Sequence, residues 1–350
     1  MSARTGAPRF RLADPCTPFS LPIRNRPFLA GSAHPSFPER IADAGGMIPV
    51  LEADAPDDVA DDLLAGAVRE VVDAELPLSG GVLVRGLPLT DRPGFERLVT
   101  GLGYEGLGYR GGIAVRKNDS DVALKASEED SRITLSPHNE MAYLPHFPRR
   151  IFFFCEAAAP SGGEVPVNDI RETAAAIPPD IKEAFRARGV RYHRTLAKES
   201  GPGATGWADT FGTTDRAELA DHLAESGYAF EWGVDDVLRY HYRREAFAAH
   251  PETGEELWFN QVTELHCSYW RSHPDFAADL PARDYPATTT YGDGMPFEED
   301  EVSFLRGALW RTTKAVRMIP GDLLVLDNQV VQHGRMAYRG TRRHYVSLSR

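Results

Sequence analysis

Cysteine is scarce in this 350-residue chain: only Cys16, Cys155 and Cys267 are present. Three widely spaced thiols form neither a disulfide framework nor a Cys-x-x-Cys metal pair. Cys155, inside Ile151-Phe-Phe-Phe-Cys155, reads as a small core residue. No apolar run approaches the ~18 residues of a membrane span. The opening Met-Ser-Ala-Arg-Thr-Gly lacks the apolar core of a signal peptide, so a reducing cytoplasm is the expected compartment. Basic runs never exceed a pair, and the net charge is −12, which argues against a nucleic-acid partner. Neither Gly-x-Gly-x-x-Gly nor a Walker pattern fits the glycines between 103 and 112.

What is present is an ordinary globular composition, 42% hydrophobic and 26% charged, with length enough for a sizeable core. Residues 1–45 are rich in Pro, Arg and Gly without a sustained period and read as an extended arm. From 46 to 350 the pattern is that of one mixed α/β, mainly β domain, with an insertion at about 200–300. Val59, Leu63, Leu64 and Val68 recur at helical spacing, which predicts a helix over 57–75. A second helix is expected over 95–102. Gly81–Arg85, Arg149–Cys155, Val190–Leu196, Gly321–Asp327, Val330–Arg335 and Arg343–Ser349 read as strands. Gly162-Gly163 reads as a hairpin turn that returns into Val165-Pro-Val.

Two segments carry the chemistry. Ser136-Pro-His-Asn-Glu140 offers His138 and Glu140, which share one face if the segment is a strand, because strand side chains alternate. Asp327-Asn-Gln-Val-Val-Gln-His-Gly-Arg335 offers His333. Two imidazoles and a carboxylate form a facial triad with open positions, the set that suits non-haem Fe(II). His193 is a rival ligand without a nearby carboxylate or second histidine to complete a site, and reads as structural. Arg343, in the last strand-like run, is suited to fork onto a dicarboxylate. By alternation Arg342 then faces the opposite way, as a surface charge.

These pieces resemble the taurine dioxygenase superfamily of Fe(II)/2-oxoglutarate oxygenases, and within it the clavaminate-synthase-like branch, which has Glu in the triad. The resemblance is carried by Gly80–Gly86, Pro137-His-Asn-Glu140, Gly162–Pro166 with Asp169, His250-Pro-Glu-Thr-Gly254 and the final Asp-Asn…His-Gly-Arg…Arg-Arg block, in family order over roughly 80–350. It implies a distorted jelly roll, the double-stranded β-helix. It also implies Fe(II), 2-oxoglutarate as co-substrate, O2, and hydroxylation of an unactivated C–H bond. The substrate it implies is a small amino-acid-like metabolite, free or carrier-bound, in secondary metabolism such as antibiotic biosynthesis.

Two positions depart from the family pattern. Val165 stands where many relatives have a hydrogen-bonding Thr, and Ser347 where many have a second arginine; both are expected at the co-substrate. By position, Thr134, Asn139, Arg116, Phe259 and Asn260 are the expected substrate contacts. Two alternatives stay open. The same chemistry can give desaturation or ring closure, and the same ligands could serve a non-oxidative, cupin-like metal-binding protein, which has no use for a dicarboxylate clamp.

Overall fold

The computed structural model describes residues 8–14, 17–108, 122–201 and 203–350. Its centre is a seven-stranded sheet. In spatial order the strands are Arg9–Leu12, Val50–Asp54, Gly81–Arg85, Leu323–Asp327, Arg150–Ala157, Arg343–Ser349 and Leu124–Lys125. All neighbours run antiparallel except Val50–Asp54 beside Gly81–Arg85. The apolar run Ile151–Cys155 sits near the middle of this sheet and is buried on both faces, so its alternation divides two cores. Phe152 and Phe154 point to one side, where they pack with Val68, Val72, Phe95 and Leu98 of the helices Asp61–Ser79 and Arg92–Gly101. Ile151, Phe153 and Cys155 point to the other, into a core shared with a second sheet.

That second sheet has four strands, in the order Lys314–Val316, Val165–Asp169, Val331–Arg335, Leu135–His138. It shares the core through Val165, Val167 and Val331. A third sheet of Ala229–Trp232, Leu238–Arg244, Val190–Leu196 and Ala287–Tyr291 adds Val190, Tyr192 and Tyr242 to the same core.

Several elements depart from the sequence expectation. Gly162-Gly163 is not the turn of a hairpin. Arg150–Ala157 and Val165–Asp169 belong to different sheets, and the segment between them carries the chain across. Gly162 has φ +76°, and a Cβ there would lie 2.1 Å from the Ala337 carbonyl oxygen, so only glycine fits the crossing. The first helix runs Asp61–Ser79, shifted toward the C-terminus of the expected span. Within the insertion at about 200–300 lie the helix Cys267–Arg271 and the strand Ala287–Tyr291. The described part of the arm, by contrast, packs on the domain as an extended arm can. Arg9–Leu12 is an edge strand, while Ile23, Leu29, Phe37 and Ile41 form a small core with Trp310 and Met336.

One ion pair pins the large sheet at the end of a strand. Arg85 Nε and NH2 donate to Asp322 Oδ1 and Oδ2 at 3.0 and 2.8 Å. Asp322 is fully buried, and its Oδ2 also accepts the Ile319 N–H. Removing one partner leaves a charge without its counterion in a desolvated place. Asp322→Ala should therefore destabilise the fold by about 3 kcal/mol. The measurement is a chemical denaturation curve, with the midpoint lowered and the slope unchanged. An unaltered midpoint would show the pair to be dispensable.

Candidate metal centre

His138 and His333 are brought together by strand register. In the four-stranded sheet they are direct partners across the antiparallel pair, and their rings lie 4.7 Å apart. Just beyond, the pairing shifts between His333 and Arg335. Gly334 makes this approach possible, because a Cβ there would lie 2.3 Å from the Leu135 carbonyl oxygen. Phe153 packs its ring 4.9 Å from that of His333 and supports it from the large sheet.

Glu140 reaches the same point by another route. The strand ends at His138, and Glu140 begins the turn that follows, so strand alternation is not what aligns it. Its backbone is held by Asn328. The Glu140 N–H donates to Asn328 Oδ1 at 2.7 Å, and Asn328 Nδ2 donates to the carbonyls of Glu140 and Pro148 at 3.0 and 2.7 Å. The next residue, Met141, has a φ of 58°, which turns the chain away. Asn328, fully buried, is a positioning residue that only the Asp327-Asn328 pair of the motif had signalled.

The result is one ligand atom each from His138, Glu140 and His333, all within 4.8 Å of one another. His333 Nε2 lies 3.7 Å from Glu140 Oε2. His138 Nδ1 is 2.9 Å from the Ser136 carbonyl oxygen, so Nδ1–H donates there and Nε2 keeps its lone pair. Burial, and then the neighbouring His333, hold the pKa of His138 below its usual value. A neutral imidazole is the form that ligates a metal. His333 Nδ1 is buried without a hydrogen-bond partner. The donor set thus fits a divalent cation.

The three residues open into a cavity of about 130 Å³. Its walls come from distant parts of the chain: Ser127–Glu129, Val165, Gln261, Glu264, Leu265, Tyr269, Trp270, and Arg335 with Arg342. Arg335 fastens the first of these. It donates to Ser127 Oγ and the carbonyls of Glu129, Asp130 and Ile133, at 2.6–3.1 Å.

The arginine at the cavity is Arg342, not Arg343. The expected alternation holds, but with the opposite phase: Val346 and Leu348 face the core between the sheets, which puts Arg342 on that same inner face and Arg343 on the other. Arg343 is therefore turned out, 54% exposed, in an ion pair with Glu156. Arg342 is turned in. Its Nε donates to the Gly163 carbonyl at 3.1 Å, and burial, followed by the neighbouring Arg335, pulls its pKa down to about 10. Among the described residues no carboxylate forms an ion pair with it.

Other expected contacts also lie elsewhere. Val165 does line the cavity. Ser347 pairs with Phe152 and so faces the helix side of the large sheet. Thr134 is buried and accepts the Ala337 N–H. Asn139 is fully buried behind the ligands, donating to the Asn328 carbonyl and accepting from Gln332 Nε2. Phe259 packs on Phe147, and Asn260 holds the Ala246 carbonyl. None of these four lines the cavity. Arg116 lies outside the described residues. His193 binds Thr290 and stacks near His241, away from the metal centre. The sequence reading had not singled out Arg335, Gln261 or Glu264.

Residues 49–348 match the family described as taurine catabolism dioxygenase TauD, TfdA family. The chain is thus an oxygenase of the class that uses iron and 2-oxoglutarate. It belongs to the TauD/TfdA family. The dapdiamide synthesis protein DdaC of Enterobacter agglomerans is 29% identical over 287 residues, covering 79% of this chain and 84% of DdaC. A clavaminate synthase-like protein of Arabidopsis thaliana is 28% identical, over 80% of this chain and 84% of its own. An asparagine oxygenase solved with Fe(II), a hydroxyasparagine and succinate shares the fold at 13% identity, with a TM-score of 0.50 over 85% of this chain and 86% of that one.

Several histidines besides His138 are held neutral by burial. His266 is pushed down to about 3, His193 to about 4, and His344 is also lowered. The unfolded chain protonates these groups near 6.5, so below that pH it binds more protons than the folded chain. Stability of the metal-free protein should be flat above about pH 6.5 and fall as the pH drops further. Denaturation midpoints at about pH 7.5 and about pH 5 test this; a higher midpoint at the acidic value would contradict it.

Proposed function

We propose that this oxygenase hydroxylates an unactivated C–H bond of a small amino-acid-like metabolite, with His138, Glu140 and His333 holding Fe(II) and Arg342 holding 2-oxoglutarate. One observation carries the reading: a triad that fits a metal shares its cavity with a half-buried arginine that forms no ion pair with a carboxylate of the described residues. Iron, when bound, supplies oxygen activation coupled to the oxidative decarboxylation of 2-oxoglutarate. The chain's own residues do the rest. Arg342 takes the far carboxylate of the co-substrate, where two parallel hydrogen bonds give orientation as well as strength. Its bond to Gly163 fixes the guanidinium before the co-substrate arrives. Val165 offers that end of the cavity an apolar wall and no hydrogen bond. The Arg335-fastened loop closes another side, which limits water at the reacting carbon.

The two facing sheets fit the distorted jelly roll, with the triad between them. Participation of DdaC in dapdiamide synthesis supports an amino-acid-derived substrate in specialised metabolism. Desaturation and ring closure require the same residues and differ only in the fate of the substrate. A non-oxidative cupin-like role leaves the charge of Arg342 without a use.

Anaerobic titration with Fe(II) and 2-oxoglutarate should develop the visible charge-transfer band of the chelate. The band should vanish in His138→Ala and in His333→Ala. A full band in either variant would remove that histidine from the ligand set. The two arginines give a sharper contrast. Loss of a charge-assisted pair should raise the 2-oxoglutarate concentration needed for half-saturation by about ten- to a hundredfold in Arg342→Ala. In Arg343→Ala it should stay within about twofold, since an exposed pair contributes little. The opposite ranking would restore Arg343 as the anchor.

A further inference from the structure

We propose that Glu264 receives a cationic group of the substrate, a free ammonium, and so restricts this oxygenase to amines and amino acids whose amino group is unblocked. The proposal rests on the oxygenase reading above and adds to it the chemical class of the substrate.

Four carboxylates line the cavity: Glu128, Glu129, Glu140 and Glu264. Three have an assigned partner. Glu128 pairs with Lys125 at 3.4 Å and Glu129 with His273 at 3.3 Å. Glu140 stands in the metal triad. Glu264 alone has no cation within ion-pair distance among the described residues. Among the described residues its carboxylate accepts one hydrogen bond from another side chain, the hydroxyl of Thr263, at 2.5 Å to Oε1.

Arg306 lies in the vicinity but is committed elsewhere. It is buried, and its guanidinium donates to the Thr263 carbonyl and to Ser268 Oγ at 2.5 and 2.8 Å. It fixes the backbone that carries Glu264, and from beyond ion-pair distance its charge offsets part of the burial of that carboxylate. On the other side, Gln261 ties the same segment to the metal centre. Its Nε2 donates 2.6 Å to the carbonyl of Asn139, the residue between His138 and Glu140, and its own N–H donates to Tyr192. The carboxylate is thus held in place before a ligand arrives, close to the metal ligands.

Burial raises the pKa of Glu264, which measures the cost of leaving this charge unpaired. A cationic ligand removes that cost. The neighbouring walls, Tyr143, Tyr269 and Trp270, suit an ammonium as well, since aromatic faces attract cations and exclude water. Arg342, also in the cavity wall, is left to the anionic co-substrate.

The test uses the full-length protein loaded anaerobically with Fe(II) and 2-oxoglutarate. The probes are the proteinogenic amino acids and their N-acetyl derivatives, and the readout is perturbation of the chelate band. Free amino acids should perturb the band, while the N-acetyl forms should not at the same concentration. In Glu264→Gln, which keeps the shape and removes the charge, the unperturbed band should form normally. The amino acid needed to shift it should rise about ten- to a hundredfold.

A Glu264→Gln variant that responds like the unsubstituted protein would overturn the proposal. Equal responses to free and acetylated compounds would overturn it too, as would a panel in which no free amine acts. If the unsubstituted protein forms no chelate band at all, the oxygenase reading itself falls, and the assignment of Glu264 falls with it.

Discussion

The pairing of His138 with His333 across two antiparallel strands is the constraint on which the site depends. It is a backbone contact first. Gly334 lets the strands close, and the ladder sets one imidazole beside the other. Everything else at the centre is arranged to bring a carboxylate to that pair without the help of a strand. Asn328 does so by gripping the backbone on both sides of Glu140. Asn139, Gln332 and Gln261 then lock the residue in between. Ligand geometry thus rests on a buried amide network, in which Gln332 Oε1 is the one atom of these four side chains left without a partner.

Charge explains how the cavity is divided. Arg335 spends its hydrogen bonds on backbone carbonyls and becomes a fastener for the loop at 127–133. Arg342, only a few residues on, makes a single bond to the Gly163 carbonyl and keeps the rest of its fork. Arg335 is the more deeply buried, and both its terminal nitrogens are engaged, whereas among the described residues Arg342 has only its Nε engaged. On the proposed reading those remaining donors of Arg342 take the co-substrate.

Much of this was legible in the sequence, and the failures have physical causes. The triad could be read because residue types alone name the ligand set, and the long-range pairing needed only that both segments be strands. The central strands could be read because apolar runs such as Ile151–Cys155 and Leu323–Leu326 have one place to go. The phase of Arg342 and Arg343 was misassigned because Arg343 was placed by the family pattern. The alternation of Val346 and Leu348 with Ser347 and Ser349, followed back along the strand, points Arg342 inward instead. The crossing at Gly162-Gly163 was taken for a hairpin because a tight turn and a change of sheet both ask for glycine. Glu264 was missed for a different reason. It belongs to no motif, and its meaning depends on which other acids have partners, a property of the folded cavity alone.

The walls of the cavity also come from separable parts of the chain. The triad and Arg342 hang on the two facing sheets, whereas Gln261, Glu264, Tyr269 and Trp270 arrive on one contiguous segment that belongs to neither. On the proposed reading, reactivity and recognition are encoded in different stretches of sequence. Exchange of a single short segment could redirect such an enzyme to a new compound while its oxidative machinery stays intact, so the architecture lends itself to diversification by local replacement.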